Sequence, residues 1–130
     1  MVLKRFSIKY LGDIMPHVVL NGTAEMVDLF QQLSPIMISY EKTLLKNSDK
    51  YINFNKSSIL VESFVIENGN KIGFLVLIGK REDGLVVRIY PEFDIEKTNG
   101  VKKILAGIAK QLLERFTELK ICKINLQDFL

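Results

Sequence analysis

The sequence predicts an α+β fold in which an antiparallel sheet packs against one long C-terminal helix. Three apolar runs follow one another at residues 59–66, 71–79 and 85–93. Asn68-Gly69 separates the first two runs and Asp83-Gly84 the last two, and such dipeptides favour tight hairpin turns because Asn and Gly tolerate a positive φ. A strongly periodic amphipathic segment follows. This order indicates a β-meander closed by a helix.

Length and composition are typical of one globular domain, because the chain has 130 residues with 48% apolar and 25% charged side chains. We therefore expect residues 1–130 to form a single α+β domain. The longest apolar run, residues 72–79, is far shorter than the ~20 residues that cross a bilayer. A net charge of +3 disfavours a nucleic-acid binder. The single cysteine, Cys122, suits a reducing compartment, so we expect a cytoplasmic protein without a membrane span.

Two extended segments are expected before the first helix. Alternation of Phe6, Ile8 and Tyr10 with polar residues predicts a half-buried strand over residues 3–11. Residues 16–20 form a second extended segment, and its initial proline favours the edge of a sheet. An Asn-Gly-Thr sequence can then cap a helix. The predicted buried stripe of this helix is Met26, Leu29, Phe30 and Leu33.

The segment at residues 35–46 is compatible with two structures. A Ser-Pro dipeptide at its start can begin a second helix, because proline fits the first helical position. Alternation of apolar residues at 36, 38 and 40 also fits a strand. The sequence slightly favours a short helix near Pro35 that gives way to a strand over residues 40–45. The fold is therefore expected to contain one or two short helices after the N-terminal strands.

A polar interruption separates that segment from the meander. Residues 47–49, Asn-Ser-Asp, have the composition of a turn, and residues 51–54 are predicted to form a short strand. In the middle strand of the meander, apolar residues occupy both faces. This pattern indicates a strand that is covered on both sides or a face that is used for association. A homodimer is therefore a reasonable expectation.

The last predicted helix has the clearest periodicity in the chain. It follows a Thr-Asn-Gly sequence at residues 98–100. Lysine and glutamate side chains fall opposite one continuous apolar stripe. This stripe consists of Val101, Ile104, Leu105, Ile108, Leu112 and Phe116. Residues 121–124 can add a short extended segment after the helix.

No motif for catalysis or metal binding is present in the sequence. His17 is the only histidine and lies far from Cys122, so neither a His/Cys metal site nor a Cys–His nucleophilic pair is supported. Several carboxylates are better explained as strand-edge, turn and helix-start charges. These are Glu62, Glu67, Glu92, Asp94 and Glu96. We therefore expect a non-enzymatic protein without a cofactor or metal.

Two segments give the chain a resemblance to a known superfamily. Residues 18–35 read VVLNGTAEMVDLFQQLSP, which combines a strand, a small-residue turn and a helix that ends near a proline. Residues 103–116 read KILAGIAKQLLERF. These segments resemble the opening and closing elements of the helix-grip fold of the START / Bet v 1-like superfamily, also called SRPBCC. The resemblance implies a curved antiparallel sheet that grips the C-terminal helix. The short meander implies a small cavity, or one that a second subunit completes.

The resemblance also implies a function, since members of this superfamily hold an apolar cavity between the sheet and the last helix. It implies that this chain binds a hydrophobic small molecule, such as an acyl chain or another lipid-like ligand. The candidate ligand-binding residues are Phe74, Val76, Val87, Ile89, Ile104, Ile108 and Leu112. Each of them would equally fill a solid core. Arg88 and Tyr40 are candidates for orienting a polar head group, although alternation places Arg88 opposite its apolar neighbours.

Other functions fit the same order of elements. A dimeric protein-interaction module of the profilin-like or longin-like kind would use a meander and flanking helices as a platform. That alternative predicts a tightly packed core and an exposed apolar strand or helix face. A small enzyme that uses a carboxylate and a tyrosine would instead require a carboxyl group with a raised pKa in a cleft.

Overall fold

The computed structural model describes residues 15–91 and 94–130. Within these residues the chain has an α+β fold, in which seven strands form one antiparallel sheet. The elements are β1 (His17–Asn21), α1 (Met26–Gln32), β2 (Met37–Tyr40), β3 (Thr43–Ile52), β4 (Ser58–Glu67), β5 (Asn70–Arg81), β6 (Gly84–Ile89), α2 (Asn99–Arg115), β7 (Lys120–Ile124) and a 3-10 turn at Gln127–Phe129. The predicted strand over residues 3–11 lies outside the described residues.

The sheet has the strand order β2-β3-β4-β5-β6-β1-β7 and curls into a half-barrel. β1 is therefore an interior strand, with Val18 paired to Val87 on one side and to Ile124 on the other. The prediction that this segment lies at a sheet edge is wrong. Pro16 precedes the first paired residue, His17, so its missing N–H removes no hydrogen bond from the ladder.

The ambiguous segment at residues 35–46 is a β-hairpin, so the helix predicted near Pro35 is wrong. β2 pairs with β3 from Met37 opposite Lys46 to Tyr40 opposite Thr43. Glu41, in the connecting turn, has a φ of 49°. The strand forms instead of the helix because pairing of β2 with β3 provides hydrogen-bond partners for the backbone N–H and C=O groups of this segment.

The predicted turn at residues 47–49 is also wrong, because these residues lie inside β3. Their pairing with β4 shifts in register between Asn47 and Asp49, which is a β-bulge. Residues 51–54 are not a separate strand, since β3 ends at Ile52. A bulge and a turn both favour short polar residues, so composition alone does not separate them.

The meander of β4, β5 and β6 is confirmed, although β6 ends at Ile89 rather than near residue 93. The long C-terminal helix is confirmed as α2, and residues 121–124 lie in β7. Both described helices pack on one face of the sheet, here called the inner face, where their buried side chains share a single apolar core with Val61, Phe74 and Val87. The opposite surface, the outer face, carries the alternate side chains of the same strands.

The N-terminus of α2 is fixed to the end of β4. The Thr98 hydroxyl accepts a hydrogen bond from Val101 N (3.3 Å) and donates one to Glu67 Oε1. Glu67 Oε2 accepts from Gly100 N at 3.1 Å. Free N–H groups of the first helical turn are thereby satisfied, and the carboxylate lies at the positive end of the helix dipole.

Replacing Thr98 by alanine is expected to lower the free energy of unfolding by about 1 kcal/mol, because the N-cap hydrogen bond is lost. Urea denaturation measures the change. The matched control is Thr117→Ala, which alters an exposed threonine just after α2 and should leave stability unchanged. Equal effects of the two substitutions would contradict the capping role.

No helix among residues 15–91 and 94–130 is both long and apolar enough to cross a membrane.

Candidate functional site

A cavity of about 220 Å³ lies between the inner face of the sheet and the middle of α2 and is partly open to solvent. Its apolar side chains come from three elements: Leu33 follows α1, Val61 lies on β4 and Ile108 lies on α2. The complete lining is Leu33, Ser34, Pro35, Asn47, Ser48, Asp49, Lys50, Val61 and Ile108. The arrangement combines a small apolar chamber with a polar border.

The β-bulge in β3 places two polar side chains on the inner face beside this cavity. Asn47 pairs with Ser63 and Lys50 pairs with Val61. Ser63 and Val61 are both buried on the inner face. Regular alternation would place residues 47 and 50 on opposite faces, because they are three positions apart. The extra residue of the bulge brings both to the same side.

Asn47 joins three chain segments through its side chain. Its Oδ1 accepts a hydrogen bond from Ile36 N (2.9 Å), and its Nδ2 donates to Ser63 Oγ (2.9 Å). Ser63 Oγ in turn donates to the Val61 carbonyl at 3.1 Å. Both side chains are buried, with 5% and 2% exposure. An amide group has two N–H donors, so one donor remains beyond the bond to Ser63.

Lys50 brings a positive charge to the border of the cavity. Its ammonium donates to the carbonyl oxygens of Phe30 and of Leu33, the latter at 3.1 Å. Its Nζ also lies 4.8 Å from the centroid of the Phe30 ring, within the range of a cation–π contact. The two carbonyls belong to the C-terminal end of α1, where the helix dipole favours a cation. An ammonium has three donors, so one donor remains beyond the two bonds to carbonyl oxygens.

The loop after α1 is tied to α2 and forms one wall of the cavity. Ser34 N donates to Gln111 Oε1 (3.0 Å), and Gln111 Nε2 donates to the Ser34 carbonyl (2.8 Å). Arg115 donates to the Gln32 carbonyl. These contacts hold the loop against the helix, so the wall has a defined position.

All seven residues predicted to bind a ligand lie in the core, each with 2% exposure or less. Ile108 also lines the cavity, while the lining does not include the other six. Tyr40 is exposed, and its hydroxyl accepts from Lys103 Nζ at 2.7 Å. Arg88 lies on the outer face, as alternation indicates, because its neighbours Val87 and Ile89 are buried in the core.

The polar residues of the lining, above all Asn47 and Lys50, are not predicted by the sequence pattern. Residues 47–49 have the composition of a turn, and strand alternation assigns no face of the sheet to turn residues. The pattern therefore does not predict that Asn47 and Lys50 face the cavity. Val61 was recognisable as an apolar strand residue, but its position opposite Ile108 depends on how α2 packs on the sheet.

Three of the residues considered for catalysis have structural partners in the described part of the chain. The His17 ring donates from Nδ1 to the Met15 carbonyl (3.0 Å), and Cys122 is exposed on β7. Glu67 caps α2, and Glu62 accepts from Ser48 Oγ at 2.9 Å. In the described part of the chain, no group of three His, Cys, Asp or Glu side chains is placed to hold a metal ion.

No protein-family model matches the chain, no curated protein matches it, and no solved structure matches it. Function must therefore be inferred from the fold and from the cavity.

Proposed function

We propose that this protein binds a small hydrophobic molecule with an anionic or polar head group between the sheet and α2. The observation that carries the proposal is the cavity at this position, where Leu33, Val61 and Ile108 offer apolar surface beside the Lys50 ammonium. Burial of an apolar ligand there is worth about 25 cal/mol per Å². A carboxylate head group would accept a charge-assisted hydrogen bond from Lys50.

The curled sheet and the C-terminal helix support the resemblance to the helix-grip superfamily, and we propose that the chain shares its mode of ligand binding. In this arrangement the ligand enters between the loop after α1 and the bulge of β3. Binding requires no chemical step, so the proposed role is carriage or sensing of the ligand. A cytoplasmic location fits the proposal, because Cys122 is free.

The volume of the cavity restricts the class of ligand. Pockets for drug-sized molecules measure about 300–1,000 Å³, whereas this cavity measures about 220 Å³. A short acyl chain or a molecule of similar size fits it, and a long-chain lipid does not. We therefore propose a short- or medium-chain carboxylic acid as the ligand.

The first experiment is native mass spectrometry of the purified protein, followed by solvent extraction of any bound compound. Calorimetric titration with butanoate, octanoate, palmitate and octanol then compares chain lengths and head groups. We expect octanoate to bind more tightly than palmitate, because of the volume, and more tightly than octanol, because of Lys50. Absence of binding to all four compounds, with no adduct in the native protein, would refute the proposed function.

Replacing Val61 by phenylalanine is expected to weaken octanoate binding at least tenfold, because the larger side chain occupies the cavity. Thermal unfolding should show that the variant remains folded. The matched control is Val86→Phe on β6, which lies on the outer face away from the lining and should leave binding unchanged. Unchanged binding in the Val61 variant would place the ligand elsewhere on the protein.

A further inference from the structure

β2 is a terminal strand of the described sheet, and its free edge is exposed along the whole strand. Within that sheet its one neighbour is β3, and all of its residues are exposed. The exposed fractions of its apolar side chains are 63% for Met37, 42% for Ile38 and 42% for Tyr40. An exposed apolar edge strand is a template for pairing with a further strand, because its outward backbone groups are unpaired.

The backbone of β2 directs hydrogen-bonding groups away from the sheet at alternate residues. The Ile36 carbonyl accepts a hydrogen bond from the backbone of β3, and hydrogen-bonded pairs of an antiparallel ladder recur at every second residue. With the observed register, Ile38 and Tyr40 therefore bond to β3. The N–H and C=O groups of Met37 and Ser39 point to the free edge, where a further strand can pair with them.

The opposite edge of the sheet, β7, is less suited to pairing. β7 carries Lys120 and Lys123, and its pairing with β1 shifts in register between Val19 and Leu20. Lysines and irregular pairing hinder the addition of a strand, because the charge must be desolvated and the hydrogen-bonding groups lose their regular spacing. β2 contains no charged residue, and its register with β3 is regular. A further strand is therefore expected at β2 and not at β7.

Lysine side chains flank the free edge of β2 on both faces of the sheet. On the inner face, Lys103 of α2 donates from Nζ to the Tyr40 hydroxyl at 2.7 Å, and this Nζ lies 5.0 Å from the centroid of the Tyr40 ring. On the outer face, Lys46 of β3 lies next to β2. In the turn between the two strands, the charges of Glu41 and Lys42 offset each other. The edge therefore favours a partner with negative charge, by electrostatic complementarity.

We infer that the free edge of β2 binds an extended acidic segment of another protein, which adds to the sheet as a further antiparallel strand. Met37 and Ser39 supply the main-chain hydrogen bonds. On the inner face, the partner side chain opposite Ile38 is apolar, and the one opposite Tyr40 is a carboxylate that pairs with Lys103. A β2 strand from a second copy brings no negative charge to these lysines. β2 does not line the cavity, so the inference is independent of the proposed ligand.

A synthetic peptide tests the pairing. The probe Ser-Glu-Glu-Thr-Val-Glu-Val-Ser, with blocked ends and a fluorophore, can place a valine opposite Ile38 and a glutamate opposite Tyr40. Fluorescence anisotropy measures its binding to the full chain. We expect saturable binding that is at least tenfold tighter than that of the same peptide with lysines in place of its glutamates. Methylation of the threonine nitrogen and of the following glutamate nitrogen should abolish binding, because these two N–H groups donate to β2.

Variants of the protein locate the bound peptide. Ser39→Pro removes an N–H that points to the free edge and takes no hydrogen bond from the ladder, so we expect at least tenfold weaker binding while circular dichroism shows a folded chain. Lys103→Glu reverses the charge beside Tyr40 and should weaken binding to a similar extent. The matched control is Lys120→Glu on β7, which alters the opposite edge of the sheet and should leave binding unchanged.

Several results would overturn the inference. One is equal binding of the acidic peptide and its methylated form, which needs no change to the protein and remains decisive if Ser39→Pro fails to fold. Another is weaker binding in Lys120→Glu together with unchanged binding in Lys103→Glu, and a third is no binding of the acidic peptide at millimolar concentration. Self-association of the wild-type chain that Ser39→Pro abolishes would also overturn it and would assign the edge to a second copy.

Discussion

Replacing Gly84 by alanine is expected to lower the free energy of unfolding by about 3 kcal/mol, at the upper end of the usual cost of overpacking. Gly84 is the first residue of β6 and pairs with Asn21 of β1. A Cβ at this position would lie 1.9 Å from the Leu20 carbonyl oxygen and 2.9 Å from Asn21 Cα. Because both are backbone atoms, no side-chain rotation relieves the overlap, and the two strands must separate.

Chemical denaturation of Gly84→Ala against the wild-type chain measures this effect. The matched control is Gly73→Ala inside β5, where an added Cβ would have no atom within 4 Å. That substitution should be neutral or stabilise the fold by up to about 1 kcal/mol, because alanine restricts the unfolded chain. Similar stabilities for the two variants would show that β1 and β6 do not approach as closely as described.

Replacing Asn47 by alanine is expected to lower the free energy of unfolding by about 2–3 kcal/mol, since a backbone donor would lose its acceptor and a buried hydroxyl would lose its donor. Ile36 N–H loses Asn47 Oδ1, and Ser63 Oγ loses the hydrogen bond that it accepts. The effect should be local as well as global, because the lost side-chain bond to Ile36 N holds the residue just before β2, while the backbone bond from residue 47 N to the Ile36 carbonyl remains in the variant.

Hydrogen exchange and urea denaturation together test the role of Asn47. Amides of β2 and of the preceding loop should exchange faster in Asn47→Ala than in the wild-type chain. The matched control is Asn99→Ala, which changes an exposed asparagine at the first position of α2 and should have little effect. A loss of less than about 0.5 kcal/mol, within the range of ordinary surface substitutions, would contradict the bridging role.

Local periodicity and turn signals are sufficient to predict the meander and α2 from the sequence. The apolar stripe that includes Ile104, Ile108 and Leu112 and the turn at Asp83-Gly84 are properties of short stretches, so the sequence predicts them directly. Local patterns do not determine the position of β1 in the sheet, because that position depends on which distant strands pair with it. Pro16 indicated an edge, yet the pairing begins one residue later and places the strand inside the sheet.

The residues of the candidate site also fall into those that a local pattern predicts and those that depend on long-range packing. The periodicity of α2 predicts Ile108 as a stripe residue, the superfamily resemblance implies its place in a ligand cavity, and it alone of the seven candidate ligand-binding residues lines the cavity. The polar border depends on the bulge in β3, which turns both Asn47 and Lys50 inward. Composition cannot distinguish such a bulge from a turn. The volume of the cavity depends on how the curled sheet meets α2, and no local pattern contains that information.

The interior position of β1 also has a consequence for the order of folding. Residues 17–21 pair with residues 84–88 and with 120–124, so both of their partners are synthesised much later. The five consecutive strands from β2 to β6 can assemble on the ribosome from adjacent hairpins, whereas β1 must remain unpaired until β6 has emerged. Long-range closures of this kind slow folding. We therefore expect the insertion of β1 to be the late step, with β7 added last.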